Sequence, residues 1–417
     1  MNTLIEEANR CLMCKNPKCQ QRCPIGTPIP EVIQLFKEDK IEEAGQLLFN
    51  NNPLSTICAI VCPHEDQCKG HCIRGIKGEP IEFHEIENYI SMKFLESTHF
   101  NKPKTLLNDS IAIVGSGPAG LTIAFILAFK GYKVTIFESK EKIGGVLRYG
   151  IPDFRLSKDI LDKIHEKLIQ LGVKIRPNTL IGPVLTIDKL FEDGYKAIFI
   201  GTGVWNPKTL NIKGESLGNV HFAIDYLKAP HVYDLGKKVC VIGAGNVAMD
   251  SARTAKRSGA EEVCILYRKG FDDMTATKAE IEETKEDGVI FELYKSPIEI
   301  LDEGVKYIET QKVVDENGKV STVLLEGKEG FYACDSVIIS VSQSPRNNIV
   351  ANNKGLETGK QGLLLTDELG HTTREGVFGS GDVVTGARTV VEAVNYAKVV
   401  AESIHNYCLK LKNKDKE

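Results

Sequence analysis

Ile111-Ala-Ile-Val-Gly-Ser-Gly-Pro-Ala-Gly-Leu121 decides the fold. Ile111 to Val114 read as a buried strand, and an apolar helix begins at Leu121. Between them Gly115 permits a tight turn, Gly117 lets the backbone approach a pyrophosphate, and Gly120 lets helix and strand pack closely. The helix N-terminus, just after Pro118 and Ala119, adds free N–H groups and a positive dipole end. The next strand, Lys133 to Phe137, ends in Glu138, whose carboxylate is placed to accept hydrogen bonds from a ribose diol. A purely structural glycine turn is the competing reading, and the strand, helix and terminal acid together weigh against it.

A second turn follows the strand Val239 to Ile242: Gly243-Ala-Gly245-Asn-Val-Ala248, with Asn246, Val247 and Asp250 opening its helix. Here the next strand, Val263 to Tyr267, ends in Arg268 and Lys269. A carboxylate repels a 2′-phosphate, whereas a guanidinium grips it with two parallel hydrogen bonds. The first site therefore suits an unphosphorylated ribose and the second suits NADP. The alternative for Arg268 is a solvated charge at a strand end. Lys278 is the nearest further basic candidate.

Outward from these turns the chain divides by composition. Its 417 residues suit two to four domains, and 42% hydrophobic and 26% charged residues are ordinary for a globular protein. A net charge of −4 gives no reason to expect nucleic acid or an anionic membrane as partner. The start, with Glu6 and Glu7 and no apolar run, is not a secretory signal, and Leu121 to Phe129 is too short to span a bilayer. A cytoplasmic protein is expected. The pattern predicts helices over Ile29 to Asn50 and Ile81 to Leu95, a linker over Ser97 to Asp109, and a closing helix from Val390 to Tyr407. The fold class is α/β: an N-terminal helical domain (1–105), then two Rossmann-like domains, the second (233–342) inserted in a split first (106–232 and 343–417).

Eight of the 12 cysteines crowd between Cys11 and Cys72, in the patterns Cys11-x2-Cys14-x4-Cys19-x3-Cys23-Pro and Cys58-x3-Cys62-Pro-x5-Cys68-x3-Cys72. In a reducing compartment such crowding argues for metal ligation over disulfides. Short spacings wrap thiolates around a cuboidal cluster, and a Cys before Pro often reaches a second one. Eight thiols suffice for two [4Fe–4S] clusters, with zinc the competitor. Cys240, Cys264, Cys334 and Cys408 are scattered and carry no assigned role.

The order of the two turns, with Gly379-Ser-Gly381-Asp382 near the end, resembles the two-dinucleotide-binding-domain flavoproteins. Those enzymes often carry a redox-active Cys-x-x-Cys beside the flavin, and this chain has none after residue 100. A closer resemblance rests on Glu6-Glu-Ala-Asn-Arg-Cys-Leu-Met-Cys14, Asn52-Pro-Leu54, Cys58-Ala-Ile-Val-Cys-Pro63, Gly150-Ile-Pro-Asp-Phe-Arg-Leu156, Gly243 to Asp250 and Gly381-Asp-Val383. In these the chain is similar to the glutamate synthase small (β) subunit family. Its relatives include the N-terminal half of dihydropyrimidine dehydrogenase and the large subunit of NADH-dependent ferredoxin:NADP oxidoreductase.

The resemblance implies an enzyme, an NAD(P)H-dependent FAD and iron–sulfur oxidoreductase that passes electrons to a catalytic partner subunit or a ferredoxin. It implies FAD at the first turn, with Gly145, Val146 and Arg148 after it, Gly381 and Asp382 from the C-terminal part, and Thr389, Val390 and Val391 beside the flavin ring. It implies a crossed ligation: Cys11, Cys14, Cys19 and Cys72 on one cluster, and Cys23, Cys62, Cys68 and Glu87 on the other. The spacing alone favours Cys58 over Glu87 as that last ligand. A non-catalytic redox sensor is the reading from another class.

Overall fold

The structure is a computed structural model that describes residues 2–314, 318, 320–359 and 361–414. It divides into two compact units, one formed by residues 1–148, 153–204 and 344–417, the other by 149–152 and 205–343.

The first unit begins with helices α1 (Asn2–Asn9), α2 (Lys18–Arg22), α3 (Ile29–Lys37), α4 (Ile41–Asn51), α5 (Ser55–Val61) and α6 (Phe83–Ser97). Val32, Ile33 and Phe36 of α3, Ala44 and Leu48 of α4, and Ile86 and Ile90 of α6 recur at helical spacing and share one core. The expected single helix over 29–50 is two helices. Asp39, with φ 58°, turns the chain between them, a conformation most residues with a Cβ avoid.

The expected linker is also corrected. Phe100 within it is 4% exposed, and its ring lies 4.9 Å from Phe49 and 5.6 Å from Phe129. The Leu107 N–H bonds the Gly131 carbonyl at 2.8 Å. The segment thus seams the helical layer to the sheet layer, and the two form one unit.

The sheet of this unit is parallel. Its order is Val377–Gly379, β4 (Tyr195–Ile200), β1 (Ser110–Val114), β2 (Lys133–Phe137), β3 (Lys174–Arg176). Ile113 pairs with Ile136 on one side and Phe199 on the other. All three are fully buried, as a strand covered on both faces requires. Helix α7 (Pro118–Phe129) follows β1 and packs against the terminal helix Val390–Lys414, which runs beyond its expected end at Tyr407.

The second unit has its own parallel sheet, in the order Val220–Phe222, Ser336–Ile339, Lys238–Ile242, Glu262–Tyr267, Ile290–Leu293. The strand Val220–Phe222 pairs with Ser336–Ile339, so residues 205–232 join this unit rather than the first. The boundary expected after residue 232 therefore moves to Val204/Trp205. A three-stranded antiparallel sheet, Lys295–Leu301, Gly304–Val314 and Val320–Ala333, completes the unit. No helix among the described residues is long and apolar enough to cross a membrane.

Candidate functional site

All twelve cysteines are free thiols. Cys11, Cys14, Cys19 and Cys72 line one recess, backed by Ile33 and Phe83, and Cys68 also borders it. Met13 takes φ 48° between the first two thiols, a strained turn of the kind that persists at ligand clamps. Burial pushes the Cys11 thiol up, and the neighbouring Cys14 and Cys72 add to it. Cys19 is pushed up to about 11 by burial, with Cys72, Cys11 and Cys14 adding their repulsion. With cationic iron or zinc among these thiols, Cys11 and Cys19 would become favourable as thiolates.

A second set forms around Glu87, on α6. Its carboxyl is 7% exposed and sits well above the usual carboxylate range, first through burial and then through Cys58. Cys62 is raised by its hydrogen bond with Cys58, by burial, and by Glu87 and Cys68 nearby. Cys68 is pushed up to about 12 by burial, then by Glu87 and Cys23. The structure therefore brings Cys23, Cys62, Cys68 and Glu87 into one neighbourhood, and Cys58 belongs to it too. Among the described residues no three such side chains converge as single-ion ligands.

At the first glycine turn, Gly115 has φ 99°, and a Cβ there would lie 2.5 Å from the Gly201 carbonyl oxygen. Gly117 has nothing within 4 Å of its would-be Cβ, the open ground a pyrophosphate needs. Pro118 and Ala119 open α7 behind it. Glu138 accepts from the Ser116 N–H at 3.0 Å and hydroxyl at 2.5 Å, and from the Lys140 N–H at 2.8 Å. It thus braces the turn while keeping further lone pairs for a ribose. Two distant segments meet this turn. A Cβ on Gly145 would lie 2.7 Å from the Gly117 Cα, and one on Gly381 would lie 3.2 Å from the Ala119 Cβ.

Val146 follows Gly145. Arg148 turns inward, bonding the Ile143 carbonyl at 2.8 Å and Asp162 at 2.5 Å, so its guanidinium is committed to holding the loop. Burial raises the Asp382 carboxyl to about 6, opposed by the Arg388 N–H and assisted by Glu392. Thr389 and Glu392 form a capping box at the start of the terminal helix. The Thr389 hydroxyl and N–H donate to Glu392 Oε2 at 2.6 and 3.0 Å, and the Glu392 N–H returns a bond of 3.4 Å. The first-turn N–H groups of Val390 and Val391 have no carbonyl one turn back, and they suit the electron-rich edge of a flavin. Ser116 and Glu392 were missed from the sequence, although Thr389-x-x-Glu392 is a readable capping signal.

In the second unit a Cβ on Gly243, at φ 140°, would lie 2.2 Å from the Ser340 carbonyl oxygen. Asn246 Oδ1 accepts from the Thr277 N–H at 3.0 Å, and Thr275 and Ala276 donate to the Ala244 carbonyl at 3.2 and 3.1 Å. This fold brings Thr275 beside Gly245, a neighbour the sequence did not disclose. It also places exposed Lys278 one residue from the Asn246 contact. Ala248 and Asp250 are buried in the helix Asn246–Arg257, which Val247 also opens. Arg268 is exposed and Lys269 half-buried at the strand end. Neither has an ion pair among the described residues, so both remain available to a phosphate.

The profile of the pyridine nucleotide-disulphide oxidoreductase family matches residues 109–397. The chain belongs to this family. A second profile, that of dihydropyrimidine dehydrogenase domain II with its 4Fe–4S cluster, matches residues 1–99. The chain is 33% identical to the glutamate synthase [NADPH] small chain of Halomonas elongata, covering 96% of this chain and 90% of that one. It is 32% identical to the NAD-dependent dihydropyrimidine dehydrogenase subunit PreT of Escherichia coli, covering 97% and 94%. Among solved structures, FprA of Mycobacterium tuberculosis in complex with NADPH shares the fold. Its TM-score is 0.63 at 20% identity, over 74% of this chain and 86% of that one.

As a member of this family, the chain is an NAD(P)H-dependent oxidoreductase that holds FAD and iron–sulfur clusters. The family's name refers to a disulphide, but no Cys-x-x-Cys follows residue 100. Cys240, Cys264, Cys334 and Cys408 are all buried.

Proposed function

We propose that the chain is the electron-input subunit of a larger enzyme, taking hydride from NADPH and delivering electrons to a glutamate synthase large chain. The observation that carries this reading is the presence, inside one compact unit, of two thiol sets and a dinucleotide turn that C-terminal segments close. FAD, when bound, converts a two-electron input to one-electron output, and the clusters conduct it. The chain's own residues position and tune. Arg268, with Lys269 and Lys278, would read the 2′-phosphate; Gly117 and the α7 N-terminus would hold the FAD pyrophosphate; Asp382 would accept from a flavin-chain hydroxyl. Val390 N–H and Val391 N–H would face the flavin edge. Cys11, Cys14, Cys19 and Cys72 would hold one cluster, and Cys23, Cys62, Cys68 and Glu87 the other.

The recess of the first thiol set is the natural exit. Leu12 (55% exposed) and Ile73 (40%) stand at its lip, with Lys18 and Arg74 beside them. An apolar centre with a basic rim suits a partner of acidic surface. The crowding of free thiols suits the cytoplasm.

A second reading is service to the catalytic subunit of a dihydropyrimidine dehydrogenase, favoured by the near full-length match to PreT. Co-purification from the native host decides between them. Recovery with a large glutamate synthase chain supports the first reading, and recovery with a pyrimidine-reducing subunit replaces it.

A further inference from the structure

We infer that Lys398, on the helix whose start closes the flavin site, is a positioning residue that sets the reduction potential of the cluster at Cys23. The inference rests on the proposed ligation by Cys23. Lys398 lies two helical turns beyond Val390, and its Nζ donates to the Asn51 carbonyl at 2.7 Å and to Asn51 Oδ1 at 3.2 Å. Asn51 Nδ2 in turn donates to Thr27 Oγ1 at 3.5 Å. Thr27, 4% exposed, has its hydroxyl 3.3 Å from Cys23 Sγ. A chain of polar contacts therefore runs from the flavin-side helix to one thiol of the second set, joining segments 347 residues apart.

A mere mechanical tie between layers would need no charge. A neutral amide would satisfy the Asn51 carbonyl, and even half-burying an ammonium without a counter-ion costs solvation. Yet among the described residues Lys398 has no carboxylate partner. Burial pulls its ammonium below the usual range, and the nearby Cys23 opposes that pull. The uncompensated cation thus has one natural counter-charge, the thiolate and the cluster it ligates.

Reducing that cluster by one electron adds one negative charge to it. A fixed cation, together with a hydroxyl donor to the ligand sulfur, favours the reduced form and raises the potential. The device would keep that cluster more easily reduced than thiolate and carboxylate ligation alone allows.

The test is a dithionite titration of the anaerobic holoprotein, followed by electron paramagnetic resonance of each cluster. In Lys398→Met the reduction equilibrium of one cluster should fall about tenfold, about 59 mV for one electron. Lys398→Arg should restore it, and the other cluster should not move. Thr27→Val should shift the same cluster in the same direction, with Thr27→Ser close to wild type, which keeps the test open should Lys398→Met fail to assemble. Both clusters unmoved, both moved equally, or Arg behaving like Met would overturn the inference. Wild-type protein with iron for one cluster only would instead refute the proposed ligation.

Discussion

Glu87 and Cys58 confront each other across the packed interface of α5 and α6, both buried, beside Cys62 and Cys68. Ser91 and Ser55 bridge the same interface at 3.0 Å. The last ligand of the second set is therefore a choice between a hard carboxylate and a soft thiolate, one on each helix, and the potential of that cluster depends on which is used.

Glu87→Ala should alter the magnetic resonance signal of one cluster and leave the other intact. Cys58→Ala should leave both signals in place, because its thiol is hydrogen-bonded to a ligand rather than being one. The reverse pair of results would make Cys58 the ligand.

Asp382 supplies a pH dependence. Its carboxyl is raised to about 6 in the FAD-free chain, and a hydroxyl donated by the flavin chain favours the ionised form and lowers it. Binding FAD then expels a proton between roughly pH 4 and pH 6. Affinity gains over that interval as pH rises and is fully present above it. Fluorescence titration with FAD should show tighter binding at pH 7.5 than at pH 5, and Asp382→Asn should flatten the difference. A wild-type affinity unchanged across this range would remove Asp382 from the flavin site.

Arg268→Glu should lower kcat/KM for NADPH by roughly ten- to hundredfold, the loss of one charge-assisted contact of about 1.5–3 kcal/mol. Use of NADH should change only slightly. Lys278→Ala should move the ratio in the same direction by less, since Lys278 only borders the turn. Equal losses with both nucleotides would mean that Arg268 does not read the 2′-phosphate.

Phe100 closes the seam between the helical layer and the sheet. Phe100→Ala removes a buried ring that packs on Phe49, Phe125 and Phe129, and should cost about 3–5 kcal/mol. Chemical denaturation should show the whole first unit losing stability together. Loss confined to the helical layer would mean that the seam is not cooperative.

The two turns, the crowded cysteines and the α/β class were legible because each is a local demand. Gly115 and Gly243 are required where a carbonyl would strike a Cβ, and short Cys spacings bring thiols onto one loop. What stayed hidden depends on partners far away in sequence. Val220–Phe222 is only three residues long, and nothing in it announces pairing with Ser336–Ile339. Phe100 is masked by polar neighbours, so a seam looked like a linker. Lys398 reads as one more lysine on an amphipathic helix until the fold brings Asn51 to it. Glu87 was marked by family resemblance, since an acid in a helix carries no sign that it faces thiols.

Protein prepared anaerobically and assayed for iron, zinc and acid-labile sulfide tests the central claim most directly. Two cuboidal clusters predict about eight iron and eight sulfide per chain. Stoichiometric zinc without labile sulfide would contradict it.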